Sequence, residues 1–328
     1  MKALVTGGGG FLGSAIVRQL LERGDEVTIL ARSTYPEIEQ MGVTCLQLDI
    51  TDPRGLTEAC QGMDVVFHVA AKAGVWGDKA QFMQINVQGT KNMLAAAKSA
   101  NVPRFIYTSS PSAVWSGGDK INVSEADCPY PQSYLTTYPE SKAIAERMAL
   151  AENGPQMAVC ALRPHLIYGP GDPHLLPRVI QRADRLRIIG DGNNIVGICY
   201  VENAALAHVL AADALATDST NAGKAYFITD LKPVKLWTWI NEVLVRLGKK
   251  PIRRRLPTAF VYGVGAFLEV VWRTFGLSGE PPMTRFVAVQ MSSSCSYDLS
   301  AAINDFGYKE RVDPKVGFER MIEYLADL

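Results

Sequence analysis

Lys2-Ala3-Leu4-Val5-Thr6-Gly7-Gly8-Gly9-Gly10-Phe11-Leu12-Gly13 is the stretch that decides the fold. Ala3-Leu4-Val5 is a short apolar run that stops at Thr6 and four glycines. From Phe11 to Leu21 the apolar residues fall at Leu12, Ile16 and Leu20 and at Val17 and Leu21, a helical spacing. The frame is therefore strand, glycine-rich turn, helix. Glycines at 7, 10 and 13 give G-x-x-G-x-x-G. In that frame the first permits a tight turn, the second lets a pyrophosphate approach the backbone, and the third lets helix and strand pack closely. The helix N-terminus adds free N–H groups and the positive end of a dipole. The plainer reading is an ordinary tight turn; the strand-helix frame favours dinucleotide binding.

Glu26-Val27-Thr28-Ile29-Leu30 is the second strand. Sites selective for NAD usually end this strand with an acid that holds the ribose diol. Here the chain reads Ala31-Arg32-Ser33. Arg32 offers a guanidinium fork for a 2′-phosphate and Ser33 a hydroxyl donor, against the plainer reading of a solvated arginine. NADP(H) is the expected cofactor, with NAD(H) as the alternative. The alternation continues. Residues 43–48 read as a strand, Thr51-Asp52-Pro53 as the opening of a capped helix, and residues 64–68 as a buried strand followed by Val69-Ala70-Ala71. A long helix is expected over 78–100, strands at 104–107 and 158–162, and helices between. Strands alternating with helices predict an α/β fold, a Rossmann-type doubly wound parallel sheet with ligands beyond the carboxyl ends of its strands.

Tyr138-Pro139-Glu140-Ser141-Lys142 puts a phenol and an ammonium at i and i+4, on one face of a helix. Pro139 suits a first turn, where no backbone donor is needed. A lysine one turn from a tyrosine lowers the phenol's pKa, so it can trade a proton at neutral pH. The plainer reading is a tyrosine packed on a lysine stem.

The 328 residues are 48% hydrophobic, enough for a main domain plus a smaller one, and carry zero formal net charge. Balanced charge gives no argument for a nucleic-acid partner. The cysteines at 45, 60, 128, 160, 199 and 295 show no C-x-x-C pair, and the histidines at 68, 165, 174 and 208 show no metal-ligand spacing. Reduced thiols in the cytoplasm and no metal are expected. No basic segment and apolar core precede the first strand, so no secretory signal is expected.

Past Pro164 the pattern loosens. A rigid turn at 169–173 leaves the nucleotide domain, residues 174–187 read as a helix and short strand, 201–215 as an apolar helix and 225–228 as a strand. The expected division is a Rossmann domain over 1–165, with 190–230 partly returning to it, and a smaller, mainly helical substrate domain from 166–189 and 231–328. Residues 259–268 are wholly apolar and flanked by Arg253-Arg254-Arg255, Glu269 and Arg273. Within 253–275 three readings stand open: a lid over an oily pocket with Trp237, Trp239 and Trp272 as walls, a membrane-interface element, or core packing. Asp298-Leu299-Ser300 reads as a cap before a helix near Ala301, and 312–328 as a terminal helix.

Taken in order, Thr6-Gly7-x-x-Gly10-x-x-Gly13, Asp49-Ile50, His68-x-Ala70-Ala71, Asn86-Val-x-Gly89-Thr90, Tyr107-Thr-Ser-Ser110, Tyr138-x-x-Ser-Lys142-x-x-Ala-Glu146 and Arg163-Pro164-x-x-Ile167-Tyr168-Gly169-Pro170 resemble the extended short-chain dehydrogenase/reductase family. Tyr200-Val201-x-Asn203 and Ala207-His208 look like its 3β-hydroxysteroid dehydrogenase branch. Arg32-Ser33-x-Tyr35-Pro36, Lys72-Ala-Gly74-Val-Trp76-Gly77 and Gly279-Glu-Pro-Pro282-x-Thr-Arg285-Phe286 are similar to the 2-alkyl-3-oxoalkanoate reductases of bacterial olefin biosynthesis. The resemblance implies NADPH-dependent reduction of the keto group of a long-chain 2-alkyl-3-oxoalkanoic acid. The rivals are a sterol 3β-hydroxyl oxidoreductase, a nucleotide-sugar epimerase or dehydratase, and a nonenzymatic nucleotide sensor.

On matching positions, the resemblance implies Tyr138 as general acid, Lys142 as its partner and ribose ligand, and Ser110 as donor to the carbonyl oxygen, with Ser112 a rival. It implies a cofactor site of Gly7, Gly10, Phe11, Leu12, Gly13, Arg32, Ser33, Asp49, Ile50, Ala70, Ala71, Tyr138, Lys142, Pro164 and Leu166. Lys72, Trp76, Ser112 and His165 are expected on the substrate side. His165, with Lys72, is a candidate for pairing with a substrate carboxylate; the plainer reading is a packed histidine. A homodimer is expected, as is peripheral association with a membrane or a neighbouring enzyme as an alternative to a free cytoplasmic protein.

Overall fold

In the computed structural model, residues 1–173 and 175–327 are described; His174 and Leu328 lie outside them. Seven parallel strands form the main sheet: Lys2–Thr6, Glu26–Ala31, Thr44–Gln47, Val65–His68, Arg104–Thr108, Ala158–Pro164 and Ala225–Ile228. Numbered along the chain, their spatial order is 3-2-1-4-5-6-7. The order reverses between the first and fourth strands, which pair with Thr6 opposite His68. The crevice beyond their carboxyl ends is the ligand position of a doubly wound sheet. Val65–His68 and Ala158–Pro164 are buried at every residue, as a sheet covered on both faces requires.

One face packs on helices Phe11–Glu22 and Val201–Ala214. The second presents Ala204, Ala205, Ala207, Ala211 and Ala212, all fully buried, and these small side chains let the backbones approach closely. The other face packs on Gly89–Ser99 and Thr137–Ala151 through Met93, Ala97, Ala145 and Ala149. The helical run expected over 78–100 is observed as Lys79–Phe82, Met83–Gln88 and Gly89–Ser99, and its middle segment is a π-helix. Thr51-Asp52-Pro53 does not open a helix. Asp52 accepts from the Arg54 backbone N–H instead, and the helix Leu56–Cys60 begins after Gly55, whose φ of +79° only glycine adopts readily.

A second core gathers Tyr168, Trp237, Trp239, Ile240 and Phe318 between helices Leu236–Arg246 and Pro314–Ala326. Asp313 caps the latter by accepting from the Lys315 N–H. Helix Ser300–Phe306 returns to the main sheet, where Phe306 meets Tyr226 edge-on at 5.0 Å. Asp298 accepts from the Ser300 backbone N–H, although the geometric cap is Leu299. The apolar run at 259–268 extends into an 18-residue helix, Thr258–Phe275, ended by Gly276 at φ +58°. Among the described residues no helix is long and apolar enough to cross a membrane.

Candidate active site

The carboxyl ends of the strands open onto one cavity of about 1090 Å³. Its nucleotide end is the glycine turn. Gly7 has φ +68°, and a Cβ there would meet the Ala70 backbone at 3.0 Å; a Cβ at Gly13 would fall 2.1 Å from the Gly7 carbonyl oxygen. Both positions demand glycine. No side chain caps helix Phe11–Glu22, and Gly10, Phe11, Leu12 and Gly13 line the cavity. A helix N-terminus that no side chain caps, reached over glycines, suits a diphosphate.

Arg32 and Ser33 continue this wall, exposed, and among the described residues Arg32 has no ion-pair partner. Asp49 and Ile50 follow, with the Asp49 carboxylate accepting from the Thr51 N–H at 2.9 Å. Ala70, Ala71, Pro164 and Leu166 complete it. Leu166 sits at φ +39°, unusual for a branched side chain, and so places a strained residue on the cavity wall. The structure thus brings every sequence-predicted cofactor residue to one surface.

The reactive groups lie where this wall meets the rest of the cavity. Helix Thr137–Ala151 carries Tyr138, Lys142 and Glu146 one turn apart. Burial pushes the Tyr138 phenol above its usual 10, and a hydrogen bond with Ser110 pulls against that shift. Burial lowers the Lys142 ammonium to about 7, opposed by the Glu146 carboxylate. The ammonium donates to the Thr108 carbonyl at 2.5 Å and lies 4.6 Å from the centre of the Tyr107 ring. Lys142 is tied to the Thr108 carbonyl in this arrangement, and Ser110 is the neighbour that acts on the phenol's pKa. Ser110 in turn accepts from the Ser112 hydroxyl at 2.9 Å. Ser112 and Ser110 therefore form a hydroxyl pair, with Ser110 next to the phenol.

Two networks that the sequence reading did not single out fix this helix. Glu146, fully buried, accepts from Arg163 Nε at 2.9 Å and Nη2 at 2.7 Å and from the Tyr130 hydroxyl at 2.6 Å. Burial raises its pKa, but Arg163 outweighs that and holds it below the usual carboxylate range. Asn86, in the π-helix, donates to the Lys72 carbonyl at 3.0 Å and the Ser141 hydroxyl at 2.9 Å and accepts from the Lys72 N–H at 2.7 Å. Ser141 passes the contact to the Tyr138 carbonyl at 2.8 Å. A π-helix in the middle of an α-helix is a frequent mark of a functional site.

The expected substrate residues divide. Ser112 and His165 line the cavity; Lys72 and Trp76 do not. The Lys72 ammonium lies 5.2 Å from the Phe82 ring centre, and Arg273 stacks on Trp76 at 5.2 Å outside the cavity. His165 hydrogen-bonds the Gly197 carbonyl at 2.7 Å, and burial lowers it to about 4, so it is neutral at pH 7. The expected His165–Lys72 cation pair for a carboxylate is not assembled. The cations that do line the substrate end are Arg178, Arg182, Arg185 and Arg187. Their spacing along and after helix Leu175–Gln181 was the available signal, lost because a run of arginines reads as a solvated face. Trp237 lines the cavity, whereas Trp239 packs against Tyr168 and Phe318 in the second core and Trp272 is not on the wall.

The family model for the 3-beta hydroxysteroid dehydrogenase/isomerase family matches residues 4–258. A 2-alkyl-3-oxoalkanoate reductase of Stenotrophomonas maltophilia is 43% identical over 98% of this chain and 98% of its own. A protein of the same description from Shewanella oneidensis is 44% identical over 97% of this chain and 85% of its own. Among solved structures, MoeE5 in complex with UDP-glucose and NAD superposes with a TM-score of 0.73 at 25% identity, covering 100% of this chain and 99% of that one. With this sheet order, glycine turn and tyrosine-lysine helix, the chain belongs to the 3-beta hydroxysteroid dehydrogenase/isomerase family within the extended short-chain dehydrogenases/reductases, NAD(P)-dependent oxidoreductases acting on CH–OH groups.

Proposed function

We propose that the protein reduces the 3-keto group of a long-chain 2-alkyl-3-oxoalkanoic acid to the 3-hydroxy acid, preferring NADPH over NADH. One observation carries this reading: a single cavity runs from the glycine turn, past Tyr138 and Ser110, to a largely apolar wall that includes Val261, Met283, Phe286 and Trp237. Apolar length suits alkyl chains. On the same cavity Arg178 is paired with Glu280 at 3.1 Å, and Arg182, Arg185 and Arg187 give the lining an excess of positive charge that attracts an anionic substrate.

In this reading Gly7, Gly10, Phe11, Leu12 and Gly13 hold the diphosphate, Arg32 and Ser33 a 2′-phosphate, and Asp49 the adenine amino group. Ala70, Ala71, Pro164 and Leu166 leave room beside Tyr138 and Lys142. When bound, the reduced cofactor supplies the hydride. Ser110 donates a hydrogen bond to the carbonyl oxygen as negative charge develops there. Tyr138, protonated at neutral pH because of its burial, delivers its proton to that oxygen. Lys142 offers a positive charge to the phenolate left behind. The parallel sheet and its helices serve the nucleotide, and residues 166–189 and 231–328 supply most of the substrate wall.

The test is cofactor oxidation followed across long-chain β-keto acids, sterols and nucleotide sugars. Turnover confined to sterols or nucleotide sugars would overturn the substrate assignment. A Km for NADH equal to that for NADPH would overturn the cofactor preference.

A further inference from the structure

Helix Thr258–Phe275 has two faces of unlike use. Its inner face is anchored. Val261 is buried and lines the cavity. At Gly265 a Cβ would lie 2.6 Å from the Thr284 backbone, so helix and following segment touch. Glu269, buried, accepts from the Arg285 backbone N–H at 2.7 Å and from its guanidinium at 2.9 Å. The helix is fixed in place and forms part of the cavity wall.

Its outer face is apolar and open. Phe260, Val264, Phe267, Val270 and Phe275 are exposed by 59, 37, 67, 62 and 72%, and Leu277 follows at 44%. Among the described residues these six are a large share of the exposed large hydrophobics and include every exposed phenylalanine. At 100° per residue Phe260, Val264, Phe267 and Phe275 fall on one stripe. No charged residue interrupts it: Glu269 faces inward, and Arg273 is drawn off to the Trp76 ring. A monomeric protein rarely leaves such a stripe in water.

The surface leading into the helix is basic. Lys249, Lys250, Arg253, Arg254 and Arg255 are all exposed, with no acid between 243 and 268. Arg255–Leu256 pairs with Ile188–Ile189, which brings residues 182–187 with Arg182, Arg185 and Arg187 alongside. The acids near them are Asp184 and Asp191, the latter facing Arg255. Cations beside an apolar helical face match an anionic headgroup layer over acyl chains.

We propose that helix Thr258–Phe275 and its basic approach dock the protein on an anionic lipid surface. The phenylalanines enter the acyl boundary, the cations meet the headgroups, and Val261 on the opposite face keeps the cavity one helix away from the bilayer. A long-chain substrate dissolved in the membrane would then reach the cavity without crossing much water. The docking rests on the surface alone and stands whether or not the β-keto acid assignment holds.

The test is co-sedimentation of the full chain with vesicles of phosphatidylcholine alone or with about one-third phosphatidylglycerol. Binding is expected only with the anionic vesicles and should weaken with salt. F260S/F267S/F275S should lower partitioning about tenfold or more, and R253S/R254S/R255S should lower it on anionic vesicles alone. All six positions are exposed, and unchanged circular dichroism and Tm would show that the variants fold. No binding to either vesicle would overturn the proposal, as would equal binding to both. A wild-type dimer that the phenylalanine substitutions dissociate, without vesicle binding, would assign the face to a second copy of this chain and equally overturn it.

Discussion

Replacing Glu146 with glutamine separates chemistry from scaffolding at the active helix. The carboxylate is fully buried, carries two bonds from Arg163 and one from Tyr130, and sits one turn from Lys142. Glutamine keeps the shape and removes the charge. Arg163 is then a buried cation without its counter-ion, a loss of about 3–5 kcal/mol for a broken buried pair. Against a typical total of about 5–15 kcal/mol, the urea midpoint should fall clearly while the slope holds. The second effect is chemical. The carboxylate is what opposes the lowering of Lys142, which stands at about 7 with Glu146 present. Without it the ammonium loses its proton at lower pH. The limb of the kcat/KM profile that falls as pH rises through about 7 should therefore move to lower pH. Tyr130→Phe, which removes a hydrogen bond and no charge, should leave that limb in place. An E146Q enzyme that is destabilised yet keeps the wild-type profile would refute the electrostatic role and leave Glu146 purely structural. In the wild type the sign runs the other way for Glu146 itself: its pKa is depressed, so its stabilisation is present above about 4.5 and fades as pH falls through the folded value.

Other substitutions probe the remaining assignments. Tyr138→Phe should cost about 10²–10⁴-fold in kcat, with NADPH affinity by fluorescence titration nearly unchanged; normal turnover would end the general-acid role. Ser110→Ala should cost about 10²–10³-fold in kcat and Ser112→Ala far less, because only Ser110 meets the phenol; the reverse order would exchange their roles. Arg32→Ala should weaken NADPH about tenfold and leave NADH almost untouched, read as Kd by titration.

Much of the fold was legible because its periodicities are local. Ala3-Leu4-Val5 before four glycines and the 3.6-residue pattern from Phe11 are decided within a dozen residues, and the strand and helix form there. The surface lined by the expected cofactor residues was legible for the same reason: most of them lie at or just after the carboxyl end of a strand, and parallel strands bring such positions together. What escaped were contacts set by long-range packing. Nothing local to Lys142 shows that Thr108, from another strand, takes its ammonium. Nothing near Lys72 shows that it leaves the wall while Ala71, Ala73 and Gly74 stay on it, because Asn86 fixes its backbone from 14 residues on. His165 stood as a carboxylate partner by position, and its burial, opposed by the bond to the Gly197 carbonyl, lowers it and keeps it neutral. The segment 253–275 was ambiguous since an apolar run does not say which face of its helix meets protein.

The two ends of the cavity are built on opposite electrostatic plans. Around Tyr138 the groups are buried and neutral or individually compensated: His68 is lowered to about 3 between Thr6 and Thr90, His165 to about 4, and Glu146 is matched by Arg163. Few free charges there compete with the one that develops on a substrate oxygen, so Ser110 and Lys142 act in a weakly screened space. At the other end Arg182 and Arg185 are exposed, and solvent screens them. Cations in that position attract and orient an acid at little cost in desolvation, and they stay out of the proton transfer. In a 3-oxo acid a single carbon separates the carboxylate from the ketone, so the carboxylate enters the first region with the ketone and is not held at the far end by the arginines. For the proposed 3-oxo acid the exposed cations serve arrival, and the buried region, with Ser110 and Lys142 beside the phenol, receives the ketone and its neighbouring carboxylate together.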